Sequence, residues 1–166
     1  MILRRAAVAG AIVSLFLGAG SAAAATSYES DACNSTADKY CFSIHFNSRG
    51  GQTWYSESPC FLSNRSIPDY FGYSPNQAAL VRYVFRAGQI DGDYNTCRLG
   101  GDGEGQGVKN EAASATNAEC GATHRVYFSS GYLGPSQAFS PKCGDYWPGE
   151  NLISDLKNDN GSAKRI

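Results

Sequence analysis

Two six-residue segments near the carboxyl-terminal end of the chain are variants of one pattern. Residues 110–115 read Asn-Glu-Ala-Ala-Ser-Ala and residues 158–163 read Asn-Asp-Asn-Gly-Ser-Ala, so the two segments begin 48 residues apart. Each has an amide, then a carboxylate, two further residues, a hydroxyl and an alanine. A repeat of this spacing predicts that one structural unit is used twice.

The polar side chains of these two segments allow two interpretations. Amide, carboxylate and hydroxyl oxygens are ligands that a hard cation such as Ca²⁺ accepts. The same residue types also form turns that enter a strand, in which Asn and Ser bond to the backbone. The side chains concerned are Asn110, Glu111, Ser114, Asn158, Asp159 and Ser162.

The first 25 residues have the organisation of a secretory signal peptide. Two arginines precede an apolar run over residues 6–19, and small residues at 21–25 precede a cleavage site before Thr26. A membrane anchor is disfavoured because the apolar run is shorter than the ~20 residues that span a bilayer. The sequence therefore predicts a secreted, extracellular protein with one domain over residues 26–166.

The exported part of the chain is mildly acidic. Without the two signal arginines it has 12 basic and 15 acidic residues, a net charge near −3. It has no long run of Lys or Arg, which disfavours a nucleic-acid partner and attraction to anionic lipid. We therefore predict no nucleic-acid partner and no membrane partner, and we expect a monomer.

All six cysteines lie in the exported part. An even number in an exported chain predicts three disulfide bonds, and the absence of a Cys-x-x-Cys pair argues against zinc. The sequence does not choose among the connectivities. Closing neighbouring cysteines along the chain gives Cys33–Cys41, Cys60–Cys97 and Cys120–Cys143.

Short apolar runs between turn residues, with little helical periodicity, predict an all-β sandwich or barrel. Residues 40–46 alternate in the manner of a strand that buries one face, and residues 52–55 are predicted as its return strand. Residues 125–128 form an equivalent strand, in which Phe128 matches Phe46. The repeat therefore includes hairpins as well as the six-residue segments.

The two halves of the repeat differ in length. We place the first half at about 38–118 and the second at about 120–166. From the aromatic strand to the six-residue segment is 64 residues in the first half and 30 in the second. The excess predicts an insertion within about 60–107, in which residues 78–85 form a strand or a short helix. Long insertions in compact domains are often functional, so this one is a candidate for specificity.

No catalytic residue is predicted. His45 and His124 stand in no recognisable nucleophile or metal motif, and no Gly-x-Ser-x-Gly elbow occurs. The glycine-rich residues 100–107 contain acids and lack the Lys-Ser/Thr that ends a phosphate loop. We therefore interpret both histidines as surface or structural residues, and we predict that the chain is not an enzyme.

The halves resemble the βγ-crystallin Greek-key repeat, whose calcium motif is Asn/Asp-Asn/Asp-x-x-Ser/Thr-Ser. More narrowly, the chain resembles small secreted actinobacterial proteins of the Streptomyces metalloproteinase inhibitor family. The resembling segments are residues 32–35, 41–51, 105–114 and 126–134. The run Lys-Asn-x-Ala-Ala-Ser within the third of them is the most specific.

The resemblance implies two Greek-key motifs in a disulfide-bonded βγ-crystallin-like sandwich. It also implies inhibition of an extracellular metalloproteinase by surface complementarity, although it names no inhibitory residue. It carries calcium ligation onto the six polar side chains named above, so calcium is a candidate ligand and no cofactor is required. Two departures from the motif are Ala115 and Ala163 in place of Ser, and the long side chain of Glu111 is a third.

Two other functions remain open for such a chain. One is a calcium-binding structural module without inhibitory activity, and the other is an exported toxin or cell-wall-binding protein. Aromatic side chains on loops are either anchors for a partner or part of the sandwich core. They are Trp54, Tyr55, Tyr70, Phe71 and Trp147.

Overall fold

The structure is a computed structural model that describes residues 25–33, 41–51, 56–88, 90–91, 94–95, 97, 101–142 and 148–166. The described residues are all β, with no helix among them, which confirms the all-β part of the predicted fold class. The predicted signal peptide up to residue 24, the predicted return strand at 52–55, Trp147 and Cys143 lie outside these ranges. The strands are β1 (Ala25–Glu29), β2 (Asp31–Ala32), β3 (Phe42–His45), β4 (Cys60–Ser63), β5 (Gly72–Asn76), β6 (Ala79–Tyr83), β7 (Ile90–Asp91), β8 (Tyr94–Asn95), β9 (Ser114–Asn117), β10 (His124–Ser129), β11 (Leu133–Phe139), β12 (Glu150–Asn151) and β13 (Ser162–Arg165).

Two sheets share one hydrophobic core. The larger sheet has the strand order β12-β9-β3-β4-β2 and the smaller has the order β11-β10-β13. Phe42 and Ile44 of the larger sheet and Val126 and Phe139 of the smaller sheet belong to the same buried cluster. The rings of Phe42 and Phe139 lie 5.7 Å apart between centroids. Burial of such side chains, at roughly 1.5–3 kcal/mol each, joins the two halves of the repeat.

Strand β3 is buried on both faces, and the expectation of a single buried face was wrong. Phe42 and Ile44 face the shared core as predicted, but Ser43 and His45 on the other face are only 1% and 0% exposed. A second buried cluster, formed by Cys60, Leu62 and Cys97, contributes to burying that other side of the sheet. Alternation alone could not reveal this, because Ser and His also occur on solvated strand faces.

The two halves use the same strand register. Strand β3 pairs with β9 so that Ile44 faces Ala115, and β10 pairs with β13 so that Val126 faces Ala163. Both closing strands begin at the serine of a six-residue segment, Ser114 for β9 and Ser162 for β13. The interpretation of these segments as the entry to a closing strand therefore holds in both halves.

Each half also contributes a short segment to the sheet of the other half. Strand β12 of the second half pairs with β9 of the first. In the opposite sense, Ile67 of the first half bridges to Ala163 of the second, with backbone hydrogen bonds of 2.7 and 2.9 Å in the two directions. The two halves of the repeat are therefore joined by strand pairing in both directions.

Strands β5 and β6 of the insertion, together with the amino-terminal strand β1, form a separate three-stranded sheet, which we call the arm sheet, with the order β1-β6-β5. Strand β1 is parallel to β6, and β5 and β6 form an antiparallel hairpin. Of the two alternatives for residues 78–85, a strand is the one observed, as β6. Gly72 begins the hairpin at a φ of 130°, where an added Cβ would lie 1.9 Å from the Val81 carbonyl oxygen. Only glycine fits that approach.

The structure contains the disulfide bonds Cys33–Cys41 and Cys60–Cys97, both between neighbouring cysteines as paired from the sequence. Cys120 is also disulfide-bonded, and its predicted partner Cys143 lies outside the described residues. Bonds of this kind are compatible with an oxidising, extracellular environment.

Candidate functional site

The two six-residue segments lie against each other and exchange backbone hydrogen bonds. The N–H of Asn110 donates to the carbonyl of Asn160 at 2.9 Å, and the N–H of Asn158 donates to the carbonyl of Ala112 at 2.8 Å. Both first residues adopt a left-handed backbone, with φ of 63° at Asn110 and 59° at Asn158. Asn tolerates that conformation better than most residues, so the first position has a structural reason to be Asn.

The serines of the two segments make the same contact in each half. Ser114 Oγ donates to the carbonyl of Asn47 at 2.7 Å, and Ser162 Oγ donates to the carbonyl of Ser129 at 2.7 Å. Ser162 Oγ also accepts the N–H of Tyr132 at 3.0 Å. Each hydroxyl therefore links the first residue of a closing strand to the backbone at the end of a hairpin strand. This contact agrees with the interpretation of the segments as turns in which Ser bonds to the backbone.

A lysine precedes each segment, and the one before the first segment, Lys109, reaches a polar site beside the hairpin of the second half. Lys109 Nζ lies 2.8 Å from Ser130 Oγ and 3.0 Å from Asp69 Oδ1. Gly161 packs directly against the same turn, since an added Cβ would lie 2.5 Å from the backbone nitrogen of Ser130. The turn at Ser130, the segment and the ammonium of Lys109 therefore form one packed cluster.

The equivalent place in the first half is a solvent-accessible cavity of about 450 Å³. Its lining includes Ser48, which matches Ser130, and Lys157, which matches Lys109. Glu111 and Asn158, two of the candidate calcium ligands, line the same cavity. A carboxylate, an amide and an ammonium thus share this space.

Several polar groups at and beside the second segment already have partners within the protein. The Ser162 hydroxyl already uses its proton and one lone pair within the protein, and Lys109 occupies the neighbouring hydroxyl and carboxylate. Glu111 and Asp159 are both exposed. In the described ranges, no group of three or more His, Cys, Asp or Glu side chains could hold a metal ion. For both segments, calcium binding stays a prediction.

Both histidines have structural surroundings. His45 is fully buried, its Nε2 lies 3.0 Å from Ser43 Oγ, and burial lowers its pKa to about 4. His124 is also fully buried and stacks on the ring of Phe42 with centroids 4.6 Å apart. Neither ring is accessible to a substrate, so of the two interpretations made from the sequence, the structural one describes both.

A buried ionic cluster around Glu119 was missed by the sequence reasoning. One carboxylate oxygen lies 2.6 Å from His124 Nε2, and the other accepts hydrogen bonds from Arg165. Burial raises the pKa of Glu119, but the hydrogen bonds and positive charges of its partners outweigh burial, and the net pKa is lowered. Burial also lowers the pKa of His124. No spacing signal marks this cluster, because Glu119 and Arg165 are 46 residues apart.

Two exposed aromatic side chains, Tyr28 of the arm sheet and Phe71 in the turn before β5, both neighbour Arg82. Tyr28 is 65% exposed and Phe71 is 42% exposed. The register pairs Tyr28 with Arg82, and the Arg82 guanidinium lies 3.8 Å from the centroid of the Phe71 ring. We call Tyr28, Phe71 and Arg82 the contact face. Tyr73 is 43% exposed and, paired with Val81, lies on the opposite face.

Two of the aromatic anchors proposed from the sequence can be placed. Phe71 belongs to the contact face, whereas Tyr70 is fully buried in the core. Trp54, Tyr55 and Trp147 lie outside the described residues. Tyr28 was missed because it lies in the amino-terminal strand, and only the pairing of β1 with β6 brings it beside Arg82.

Comparison of the chain with protein-family models, curated proteins and solved structures finds no match. The interpretation of the site therefore rests on its own residues. No helix in the described part of the chain is long and apolar enough to cross a membrane.

Proposed function

We propose that this chain is a secreted protein that inhibits an extracellular metalloproteinase by surface complementarity, with the arm sheet as its contact surface. The observation that carries the proposal is the contact face of Tyr28, Phe71 and Arg82 on an otherwise exposed sheet. Tyr and Arg are enriched among the residues that dominate protein–protein binding energies. The burial of both histidines supports a binding role in preference to a catalytic one.

The arm sheet is held firmly enough to present such a surface. The N–H of Val84 donates to the Glu29 carbonyl at 3.0 Å, and Arg65 forms an ion pair of 2.9 Å with the Glu29 carboxylate. At the base of the arm, the Tyr83 ring packs against the core residue Phe61 with centroids 4.8 Å apart. A surface ordered before binding loses less conformational entropy when the complex forms.

The exposed edges of the arm sheet differ in their capacity to pair with a partner. Strand β5 contains Pro75, which has no N–H to donate and so disfavours pairing along that edge. Strand β1 forms the other edge and runs from Ala25 to Glu29, so the predicted cleavage before Thr26 falls within this strand. We therefore expect side chains of the contact face, more than edge pairing at β5, to make the interface.

The fold proposal that accompanies this function is a βγ-crystallin-like pair of Greek keys. It is supported by the equal register of the two halves and by the exchange of short segments between them. The resemblance to the Streptomyces metalloproteinase inhibitor family supports the choice of partner class.

The test is a titration of the mature chain against a panel of secreted metallo-, serine and cysteine peptidases. We expect stoichiometric inhibition of at least one metalloproteinase. Tyr28→Ala and Phe71→Ala should each raise the inhibition constant by roughly 10- to 100-fold, the effect of removing an anchor residue.

Tyr73→Ala is the matched control, because it removes an equally exposed aromatic ring from the opposite face of the same sheet. It should leave the inhibition constant within about threefold of the original. Stoichiometric inhibition of no peptidase in the panel would overturn the proposed function. Equal losses for Tyr28→Ala and Tyr73→Ala would overturn the contact face.

A further inference from the structure

We propose that the outer face of the sheet β11-β10-β13 binds a phosphomonoester, with the phosphate group between the side chains of Arg125 and Lys164. These two cations lie directly opposite each other in the register of β10 and β13. The ligand class is a small organic phosphate, and the site shares no residue with the contact face of the arm sheet. The proposal therefore does not rest on the proposed inhibitory function.

Arg125 and Lys164 lie on the side of the sheet that faces away from the shared core. The next pair along the two strands, Val126 and Ala163, belongs to the buried cluster. Because successive side chains of a strand alternate between the two faces of a sheet, Arg125 and Lys164 share the outer face. Lys164 is exposed and Arg125 is half-buried. Both charges are therefore accessible to a ligand in solution.

Among the residues that the structure describes, no carboxylate forms an ion pair with either of these cations. The Arg125 guanidinium donates a hydrogen bond of 3.3 Å to the Ser136 hydroxyl, and Lys164 Nζ lies 5.9 Å from the centroid of the Tyr132 ring. Like charges directly opposite each other destabilise a strand pair. An anion bound from solution would remove this repulsion, so the pair is suited to an anionic ligand.

The first half shows that the repeat does not require charge at this position. In the shared register of the two halves, the equivalent pair in β3 and β9 is Ser43 and Thr116. Both side chains are uncharged, and both residues are buried. The same strand pairing therefore forms without cations, and the charged pair is a property of the second half alone. Its residues can be exchanged for those of the first half as a test.

The spacing of the cations and the rings beside them indicate the class of anion. Side chains directly opposite each other have Cβ atoms about 4.5–5.5 Å apart, so both cations can contact one anionic group. A phosphomonoester has a charge of about −1.5 to −2 at pH 7 and three acceptor oxygens, and it therefore matches two cations better than one carboxylate does. The rings of Tyr127 and Tyr132, with centroids 5.9 Å apart, provide apolar surface for the organic part of the ligand.

The experiment titrates the ¹⁵N-labelled mature chain with phenyl phosphate and follows the backbone amide signals. We expect saturable shifts in β10 and β13. The dissociation constant for phenyl phosphate should be about five- to tenfold lower than that for benzoate, which has the same ring and a single charge. Inorganic phosphate should shift the same signals with lower affinity, because it has no ring to pack against the tyrosines.

Two variants exchange the charged pair for the residues of the first half. Arg125→Ser and Lys164→Thr should each weaken the binding of phenyl phosphate by about tenfold, the effect of losing a hydrogen bond to a charged group. Lys157→Thr, at an exposed lysine outside this face, is the matched control and should change the affinity by less than about twofold.

Melting temperatures separate lost binding from a damaged fold. At low ionic strength Lys164→Thr should melt about 1–3 °C above the original protein, because the repulsion from Arg125 is gone. The difference should shrink in about 0.5 M NaCl, where exposed charges are screened. A lower melting temperature for Lys164→Thr at low salt would contradict the repulsion between the two cations.

The binding data can overturn the proposal in three ways. Phenyl phosphate could cause no saturable shifts in β10 and β13, or the shifts could persist unchanged in Lys164→Thr. Equal affinities for phenyl phosphate, sulfate and benzoate would show general attraction of anions without a site. Tighter binding of a hexaglutamate peptide than of phenyl phosphate would replace the ligand class with an acidic segment of a protein.

Discussion

His124 and Arg165 face each other across strands β10 and β13, and both bind the carboxylate of Glu119. The carboxylate and the ring are fully buried, while the Arg165 side chain is 39% exposed. The last strand of the chain is therefore fastened to the segment between the two halves by one buried acid. This arrangement makes stability depend on the protonation of groups that the sequence does not mark.

The first prediction concerns pH. The pKa of His45 is lowered to about 4 by burial, and that of His124 is also lowered. In the unfolded chain both rings take up a proton from about pH 6.5 downward, whereas in the folded chain their lowered pKa values delay protonation to lower pH. Stability is therefore lost as the pH falls below 6.5, and His45 alone accounts for on the order of 3 kcal/mol by pH 4.

Glu119 also lowers the stability of the folded chain as the pH falls, but in a lower pH range. Because its folded pKa is lowered, its stabilising effect is present above the ordinary carboxyl pKa and is lost as the pH falls through the folded value. Urea unfolding at pH 7, 6, 5 and 4 measures the combined effect. His45→Gln should flatten the profile between pH 6.5 and 4, and a flat profile in the original protein would contradict the prediction.

The second prediction concerns the charge of Glu119. Glu119→Gln keeps the size of the side chain but leaves the Arg165 guanidinium without its carboxylate. We expect a loss of about 2 kcal/mol in the free energy of unfolding, below the roughly 3–5 kcal/mol of a fully buried pair, because Arg165 remains partly solvated. Glu150→Gln, at an exposed position in β12, is the control and should change stability by less than about 0.5 kcal/mol. Equal effects of the two variants would contradict a special role for Glu119.

The third prediction concerns Gly161. An added Cβ would lie 2.5 Å from backbone atoms of Ser129 and Ser130, which cannot move aside as a flexible side chain could. Gly161→Ala should therefore lower the free energy of unfolding by about 2–4 kcal/mol. At Gly121 an added Cβ meets nothing within 4 Å, so Gly121→Ala should be nearly neutral. Chemical denaturation of both variants measures their free energies of unfolding. If Gly161→Ala is as stable as the original protein, the turn at Ser129 and Ser130 can shift and the prediction is wrong.

The fourth prediction ranks the two disulfide bonds. Cys60–Cys97 closes a separation of 37 residues and Cys33–Cys41 one of 8. On loop entropy alone, removing them should cost about 4 and about 2.5 kcal/mol, respectively. Double Cys→Ala variants, unfolded in urea, provide the comparison. A larger loss for Cys33–Cys41 would show that contacts other than loop closure dominate.

Much of the fold follows from local patterns in the chain. The alternation at Phe42 and Ile44 places them in the core, and the matched hairpins predict equal register in the two halves. The asparagines that begin the six-residue segments suit a left-handed turn, and their serines begin strands β9 and β13. These features depend on residues close together in sequence, where backbone preference and hydrophobic periodicity act directly.

The sequence by itself thus determined the all-β class and the positions of the closing strands, whereas the structure made the choice among cysteine pairings. Only the tertiary structure decided that Ser43 and His45 are buried, that Glu119 meets Arg165, and that Lys109 meets Asp69 and Ser130. The physical reason is that these contacts join residues far apart in the chain, and the desolvation and pairing of their charges exist only after the halves have packed. Local backbone preference therefore sets the conformation of the repeated segments, and the tertiary fold decides which side chains surround them.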